Sequence, residues 1–133
     1  MKIEHKRPPN YLEIIKHFPT VANKQGVIFT YGDILYAPNA HSISHDLMKH
    51  EETHQRQQEK MGKDIWWDRY FNEPEFRLSQ ELEAYRNQYK YTQINYGRKL
   101  RREVLKNISK DLSSSIYGNL ITKVKATQLI KEQ

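Results

Sequence analysis

The chain has 133 residues, of which 37% are hydrophobic and 29% charged, and this length fits one domain rather than two. It contains no cysteine, which excludes disulfides, a thiol nucleophile and any cysteine-based zinc site. The net charge of +6 lies entirely in residues 97–133, because residues 1–96 carry 13 basic and 13 acidic residues. A nucleic-acid-binding interpretation of the first 96 residues therefore has little support.

The first third of the chain is predicted to form an extended lead-in, a short segment and a β-hairpin. Residues 1–10 contain Pro8 and Pro9 near their end, which favours extended backbone, and residues 11–18 form either a helix or an irregular segment. Residues 27–31 and 34–36 are rich in β-branched and aromatic side chains and flank the turn signal Gly32-Asp33. This pattern predicts two short antiparallel strands.

The middle of the chain predicts two helices separated by an aromatic segment. The first helix starts after Ser44 as a plausible N-cap and runs from about residue 46 to about residue 60. Residues 63–71 are aromatic-rich and are expected to pack on the core. The second helix takes Asn72 as its N-cap, with a proline and acids in its first turn, and reaches about residue 94.

Residues 97–133 are predicted to be a basic helical extension packed on a core of residues 1–96, because their apolar residues recur at helical intervals. Thr122 can cap the last helix. The basic run Arg98–Arg102 is either a solvated cationic face or a surface for an acidic partner or the backbone of a nucleic acid. This extension is expected to carry none of the metal chemistry described next.

The chain is not expected to enter a membrane or the secretory pathway. Its first ten residues, MKIEHKRPPN, lack the apolar region of a signal peptide. No apolar run approaches the roughly 18 residues that a membrane span needs. We therefore predict a cytoplasmic protein.

The first long helix carries the motif His50-Glu51-Glu52-Thr53-His54, which is H-E-x-x-H. Residues four apart lie on one helix face, so both imidazoles can bind one metal ion, with Glu51 beside it as the general base. With 6 His in the chain, chance would produce this motif only roughly 0.02 times. The alternative is a surface helix with solvated side chains.

The third ligand should come from a later element of the chain, and Glu81 and Glu83 are candidates for it. They lie about 200° apart on a helix, so only one of them can face the ion. The flanking apolar residues Leu78, Leu82 and Tyr85 favour Glu81, and Glu83 remains the alternative.

The pair of motifs, His50-Glu-Glu-Thr-His54 and Glu81-x-x-Ala-Tyr85, resembles the gluzincin-type zinc metallopeptidases. Small proteins of this type occur in bacteria and phages. The resemblance implies an α+β, mostly helical fold with a minimal zincin-like core, namely a hairpin, an H-E-x-x-H helix and a glutamate helix. It also implies Zn²⁺ bound by His50, His54 and Glu81. Tyr85 stands where the family often has an aspartate that supports a ligand histidine, so that support must come from elsewhere.

The activity implied by this resemblance is hydrolysis of a peptide or protein substrate by zinc-activated water, with Glu51 as general base. Candidates for stabilising the transition state or supporting the ligands are Tyr70, Arg77, Tyr85 and Arg86, and the sequence does not choose among them. The nearby strands could pair with an extended peptide. The alternative function is a catalytically silent binding or structural module of a larger complex.

Other polar and aromatic residues near the motif have less specific interpretations. His41 and His45 could add a ligand, but we interpret them as loop residues. Gln58 is predicted at the mouth of the cleft. The pair Trp66-Trp67 is predicted to fill the core rather than to bind substrate.

Overall fold

The computed structural model describes residues 1–40 and 42–132, and it confirms a mostly helical α+β fold. The elements in chain order are β1 (Lys2–Glu4), α1 (Tyr11–His17), a first 3-10 turn (Pro19–Asn23), β2 (Phe29–Tyr31), β3 (Ile34–Tyr36), α2 (His45–Met61), α3 (Lys63–Asn72), α4 (Pro74–Asn95), α5 (Arg98–Leu112), a second 3-10 turn (Ser115–Tyr117) and α6 (Lys123–Lys131).

The sheet has three short strands in the order β1-β3-β2. The predicted hairpin is confirmed, since β2 and β3 are antiparallel with Thr30 opposite Leu35, and Gly32 supplies a positive φ of 66° at the turn. The predicted lead-in is also a strand, because β1 pairs parallel to β3 with Ile3 opposite Leu35. This order leaves β2 at one edge of the sheet, and β2 is the strand that contacts α2.

Helices α2 and α4 form the centre of the molecule and pack against each other. The aromatic segment between them is the helix α3. The prediction that Asn72 caps α4 is wrong, because α4 starts at Pro74 with Glu73 in the N-cap position. Asn72 is instead the last residue of α3, where its side-chain amide donates to the carbonyl of Asp68 at 2.8 Å.

The core consists of two hydrophobic clusters. The first joins α1, the first 3-10 turn, the hairpin, α3 and the start of α4, and its buried members are Ile14, Phe18, Val21, Phe29, Tyr36, Trp66, Trp67, Tyr70, Phe71 and Phe76. The second joins α4, α5 and α6, and its buried members are Tyr85, Tyr89, Ile108, Leu112, Ala126 and Ile130. Tyr117 packs against both clusters and so connects them.

The last 37 residues fold onto the rest of the chain through α4, which contacts both α5 and α6. The side chain of Thr122 accepts a hydrogen bond from the backbone N–H of Lys125, as expected for the predicted cap. Within the described residues, every helix is too short or too polar to cross a lipid bilayer.

Candidate metal centre

The two histidines of the H-E-x-x-H motif and one glutamate of α4 meet between α2 and α4. His50, His54 and Glu81 are only 3%, 5% and 3% exposed. Their contacting atoms form a nearly equilateral triangle. The two Nε2 atoms are 3.1 Å apart, and Glu81 Oε1 lies 3.2 Å from His50 Nε2 and 3.1 Å from His54 Nε2.

This triangle has the dimensions of one face of a tetrahedral metal site. Nitrogen and oxygen ligands about 2.0–2.1 Å from a tetrahedral zinc ion lie about 3.3 Å from one another. The observed separations of 3.1–3.2 Å match that value closely. A buried cluster of two imidazoles and one carboxylate could therefore hold a metal ion.

The charges in this cluster depend strongly on one another. Burial alone would lower the pKa of His54, but the adjacent Glu81 carboxylate raises the pKa to about 9. Burial alone would raise the pKa of Glu81, but the charge of His54 and hydrogen bonds to both histidines hold that pKa well below its usual range. Glu81 is therefore an ionised carboxylate, as a metal ligand must be.

Tyr70 fixes the second oxygen of Glu81. Its hydroxyl donates a hydrogen bond of 2.5 Å to Glu81 Oε2, leaving Oε1 directed at the two histidines. Burial, reinforced by the Glu81 charge, raises the pKa of Tyr70 well above its ordinary value. Tyr70 thus stays protonated and acts as a donor that orients the carboxylate.

The two histidines are supported differently. Nδ1 of His54 is 2.8 Å from Oε1 of Gln57, and Gln57 in turn donates to the carbonyl of Gln80 on α4. Nδ1 of His50 is buried and has no hydrogen-bond partner among the described residues. The ring of Tyr85 packs edge-on against His50, with centroids 4.3 Å apart. Tyr85 therefore restrains His50 by packing.

Glu51 lies beside the triangle and is held by the edge strand. Thr30 of β2 donates a hydrogen bond of 2.6 Å from Oγ1 to Glu51 Oε2. The other oxygen, Oε1, is 3.9 Å from His50 Nε2. One oxygen of this buried carboxylate is thus fixed while the other faces the ligand cluster.

Gln58 is predicted at the mouth of a cleft, but in the structure it is buried against the outer edge of β2. Its amide accepts a hydrogen bond from the backbone N–H of Gly32 at 2.7 Å and donates to the carbonyl of Thr30 at 2.8 Å. A side-chain amide with these two bonds imitates the peptide group of a neighbouring strand. The edge of β2 that a peptide could pair with is therefore already occupied at this point.

A small cavity of about 70 Å³ adjoins the ligand cluster. Apart from the site residues, its walls are mainly apolar and aromatic. They come from three separate parts of the chain: Ile14, Phe18, Val21, Val27, Ile28, Phe29, Trp66, Trp67, Ile116 and Tyr117. The wall thus includes Ile116 and Tyr117, so residues 97–133 contribute to this region, which no motif in them predicts.

Several predicted candidates lie away from the ligand cluster. Glu83 is exposed and accepts a hydrogen bond from Gln57, so the cluster contains Glu81 and not Glu83. Arg77 donates to the backbone carbonyls of Tyr70 and Tyr117, and Arg86 donates to that of Leu129.

The remaining candidates have mainly packing roles. Tyr85 shares a hydrogen bond of 2.6 Å with Tyr117. Trp66 and Trp67 are buried in the first cluster, as predicted, and the ring centroid of Trp66 is 5.4 Å from that of His54. His45 is the first residue of α2, with its ring near Tyr91. His41 lies outside the described residues.

Three residues at the site were missed. Gln57 could have been found, because it lies one turn after His54 on the same helix. Thr30 and Tyr117 could not, because their contacts with Glu51 and Tyr85 join residues 21 and 32 positions apart.

Comparisons with known proteins gave no relative for this chain. No family model matches it, and neither a curated protein nor a solved structure does. The geometry of the site is therefore the basis for any functional conclusion.

Proposed function

We propose that the chain is a zinc-dependent peptidase. The observation that carries this proposal is the triangle of His50, His54 and Glu81 ligand atoms with the carboxylate of Glu51 directly beside it. Two imidazoles and one carboxylate are the protein ligands of catalytic zinc sites, which keep a fourth position for water or substrate.

The residues around the cluster suit this chemistry. Zinc, when bound, supplies a Lewis acid that polarises a carbonyl group and lowers the pKa of a water molecule to about 7. Glu51 uses its free oxygen Oε1 to take a proton and to deliver it to the leaving amine, while Thr30 holds Oε2. Tyr70 and Gln57 orient the ligands.

The arrangement of elements also supports a zincin-like core. A sheet edge strand, β2, lies against the H-E-x-x-H helix α2, and the glutamate helix α4 packs on that same helix. These three parts correspond to the hairpin, active-site helix and glutamate helix of the gluzincin-type resemblance.

The first test measures metal content and then hydrolysis. Protein purified from zinc-supplemented medium should contain about one zinc per chain by elemental analysis, and it should cleave some members of a mixed peptide library. Glu51→Gln should keep the zinc and lower the hydrolysis rate by at least about 100-fold. The matched control is Glu52→Gln, since Glu52 points to Lys49 on the helix surface.

Two results would overturn the proposal. One is a wild-type protein without stoichiometric zinc after metal loading. The other is a Glu51→Gln variant that cleaves the same peptides at the wild-type rate.

A second candidate function is favoured by the burial of the site. The ligands are at least 95% buried, and the adjoining cavity of about 70 Å³ is too small for a peptide. Both features are typical of a structural metal site in a binding module. Chelation separates the two candidates, because removing a structural ion unfolds the chain, whereas removing a catalytic ion abolishes hydrolysis and leaves the helical circular dichroism spectrum unchanged.

A further inference from the structure

The exposed surface of α5 carries a row of four cations that winds about 120° around the helix. Arg98, Arg102, Lys106 and Lys110 follow one another at intervals of four residues, and all four are exposed. Residues four apart lie on one face of a helix and about 6 Å apart along its axis. The α5 cationic row is therefore about 18 Å long.

The opposite face of α5 holds the helix in place. Ile108 and Leu112 are buried in the second cluster, with Val104 and Leu105 packed against it. Lys106 and Lys110 are each two positions from Ile108, which is about 200° around the helix. The row turns toward the Ile108 side at its Arg98 end, but all four side chains are exposed to solvent.

Two acidic residues of α5, Glu103 and Asp111, neighbour the row within the described residues but are not paired with it. None of its four members forms an ion pair there. Like charges four residues apart on a helix repel each other, and the row contains three such pairs. An extended anion along α5 would relieve this repulsion.

We propose that the α5 cationic row binds the phosphate backbone of double-stranded nucleic acid without reading its sequence. A linear array of phosphates matches a linear array of cations. The positive charge is also local, because residues 1–96 have equal numbers of acidic and basic residues. This proposal does not depend on the metal site.

Other anionic partners fit this surface less well. A protein interface has an aromatic or apolar centre, and α5 contains no aromatic residue and has a single half-exposed leucine, Leu100. Binding to a membrane needs an exposed apolar face, but the apolar face of α5 is packed in the second cluster. Single strands are bound largely by stacking on aromatic rings, which the row does not supply.

The test measures binding of a fluorescent 30-base-pair duplex of arbitrary sequence to the full chain by anisotropy at increasing NaCl concentration. Each phosphate contact contributes about −0.9 to the slope of log K against log salt, so four contacts predict a slope of about −3.6. Replacing Arg102 and Lys106 by Gln should reduce the slope to about −1.8 and lower the affinity roughly 60-fold at 0.1 M salt.

The matched control replaces Lys123 and Lys125 by Gln. These two exposed lysines belong to the same basic part of the chain, and their replacement removes the same charge. The control variant should keep the wild-type slope and an affinity within about threefold, since its residues lie outside the row. Unchanged circular dichroism spectra show that both variants fold.

Several outcomes would overturn the proposal. They are no duplex binding at 50 mM NaCl, an equal loss of affinity in the control variant, and a wild-type slope shallower than about −1. Tighter binding to poly-glutamate, to phosphatidylserine vesicles or to a single-stranded oligonucleotide of the same length would likewise assign the row to another partner.

Discussion

Two hydroxyl groups orient the two functional carboxylates of the candidate site. Tyr70 donates to Glu81, and Thr30 donates to Glu51, at 2.5 and 2.6 Å. Each bond engages one carboxylate oxygen and leaves the other directed at the histidines. Hydrogen bonds to ionised acceptors are among the strongest in proteins, so losing either should have a measurable effect.

Tyr70→Phe should weaken zinc binding about tenfold, because Oε2 of Glu81 loses the donor that orients the carboxylate. The ring and its stacking on Trp66 are retained, so the fold should not change. The measurement is competition with a chromophoric zinc chelator. Tyr89→Phe is the control, because Tyr89 is equally buried but lies in the second cluster. Equal zinc affinities of the two variants would contradict this role of Tyr70.

Thr30→Val should destabilise the fold by about 3 kcal/mol, because it leaves an oxygen of the buried Glu51 carboxyl group without its hydroxyl donor. Thr30→Ser keeps the hydroxyl and loses only one methyl group, which is worth about 0.8 kcal/mol. Urea unfolding at pH 7 compares the two variants. If the valine variant were as stable as the serine variant, the hydrogen bond to Glu51 would have no energetic role.

At the scale of the elements, Gln58 attaches α2 to the sheet edge by bonding to both Gly32 and Thr30. Gln58→Met keeps the length of the side chain but leaves the Gly32 N–H without this acceptor, which should cost about 2 kcal/mol in urea unfolding. Gln55→Met, on the half-exposed side of the same helix, should change stability by less than about 0.5 kcal/mol. A similar loss in both variants would mean that methionine in α2, and not the lost edge contact, causes the effect.

The start of α2 is attached to the end of α4 through Asp46. Its carboxylate accepts hydrogen bonds of 2.8 Å from both Gln88 and Tyr96. Burial alone would raise the pKa of Asp46, but these bonds outweigh burial and lower it. A carboxyl group whose pKa is lower in the folded state stabilises the fold above its unfolded-state pKa, and this contribution disappears as the pH falls through the folded-state value.

Asp46→Asn should therefore cost about 2 kcal/mol at pH 7, and the difference from wild type should shrink as the pH falls below about 4. Urea unfolding between pH 7 and pH 3 measures this difference. Asp33→Asn, at an exposed turn position, should show no such trend. A difference for Asp46→Asn that stays constant over this pH range would show that its ionisation is not involved.

Contacts between residues close together in the sequence could be predicted, whereas contacts between distant residues depend on how the elements pack. The spacing of His50 and His54 fixes their common face, because i and i+4 positions are neighbours on any helix. The sequence favours Glu81 over Glu83, but only the packing of α4 on α2 shows which of the two lies beside the histidines. Strand β1 was missed because three residues are too few to show a recognisable pattern, and pairing with β3 makes them a strand.

For the whole molecule, the predicted division at residue 96 has a direct test. The second cluster includes Ile108, Leu112 and Ile130, which follow residue 96 in the chain. Burying each of these side chains contributes about 1.5–3 kcal/mol to the stability of the fold. Their sum is comparable to the total stability of a domain, about 5–15 kcal/mol. Residues 1–96 alone should therefore lose cooperative thermal unfolding, measured by circular dichroism. A sigmoidal melt of this fragment would instead show that 97–133 is an independent appendage.

The late position of Tyr117 in the chain determines when the cavity wall can be completed during synthesis. The ligand set is complete once Glu81 has been synthesised, whereas the cavity wall also needs Ile116 and Tyr117. Because synthesis proceeds from the N-terminus, α2 and α4 leave the ribosome before the residues that close the wall. Until then the cavity beside the ligands lacks part of its wall, so the enclosed site is completed only after residues 116 and 117 have been made.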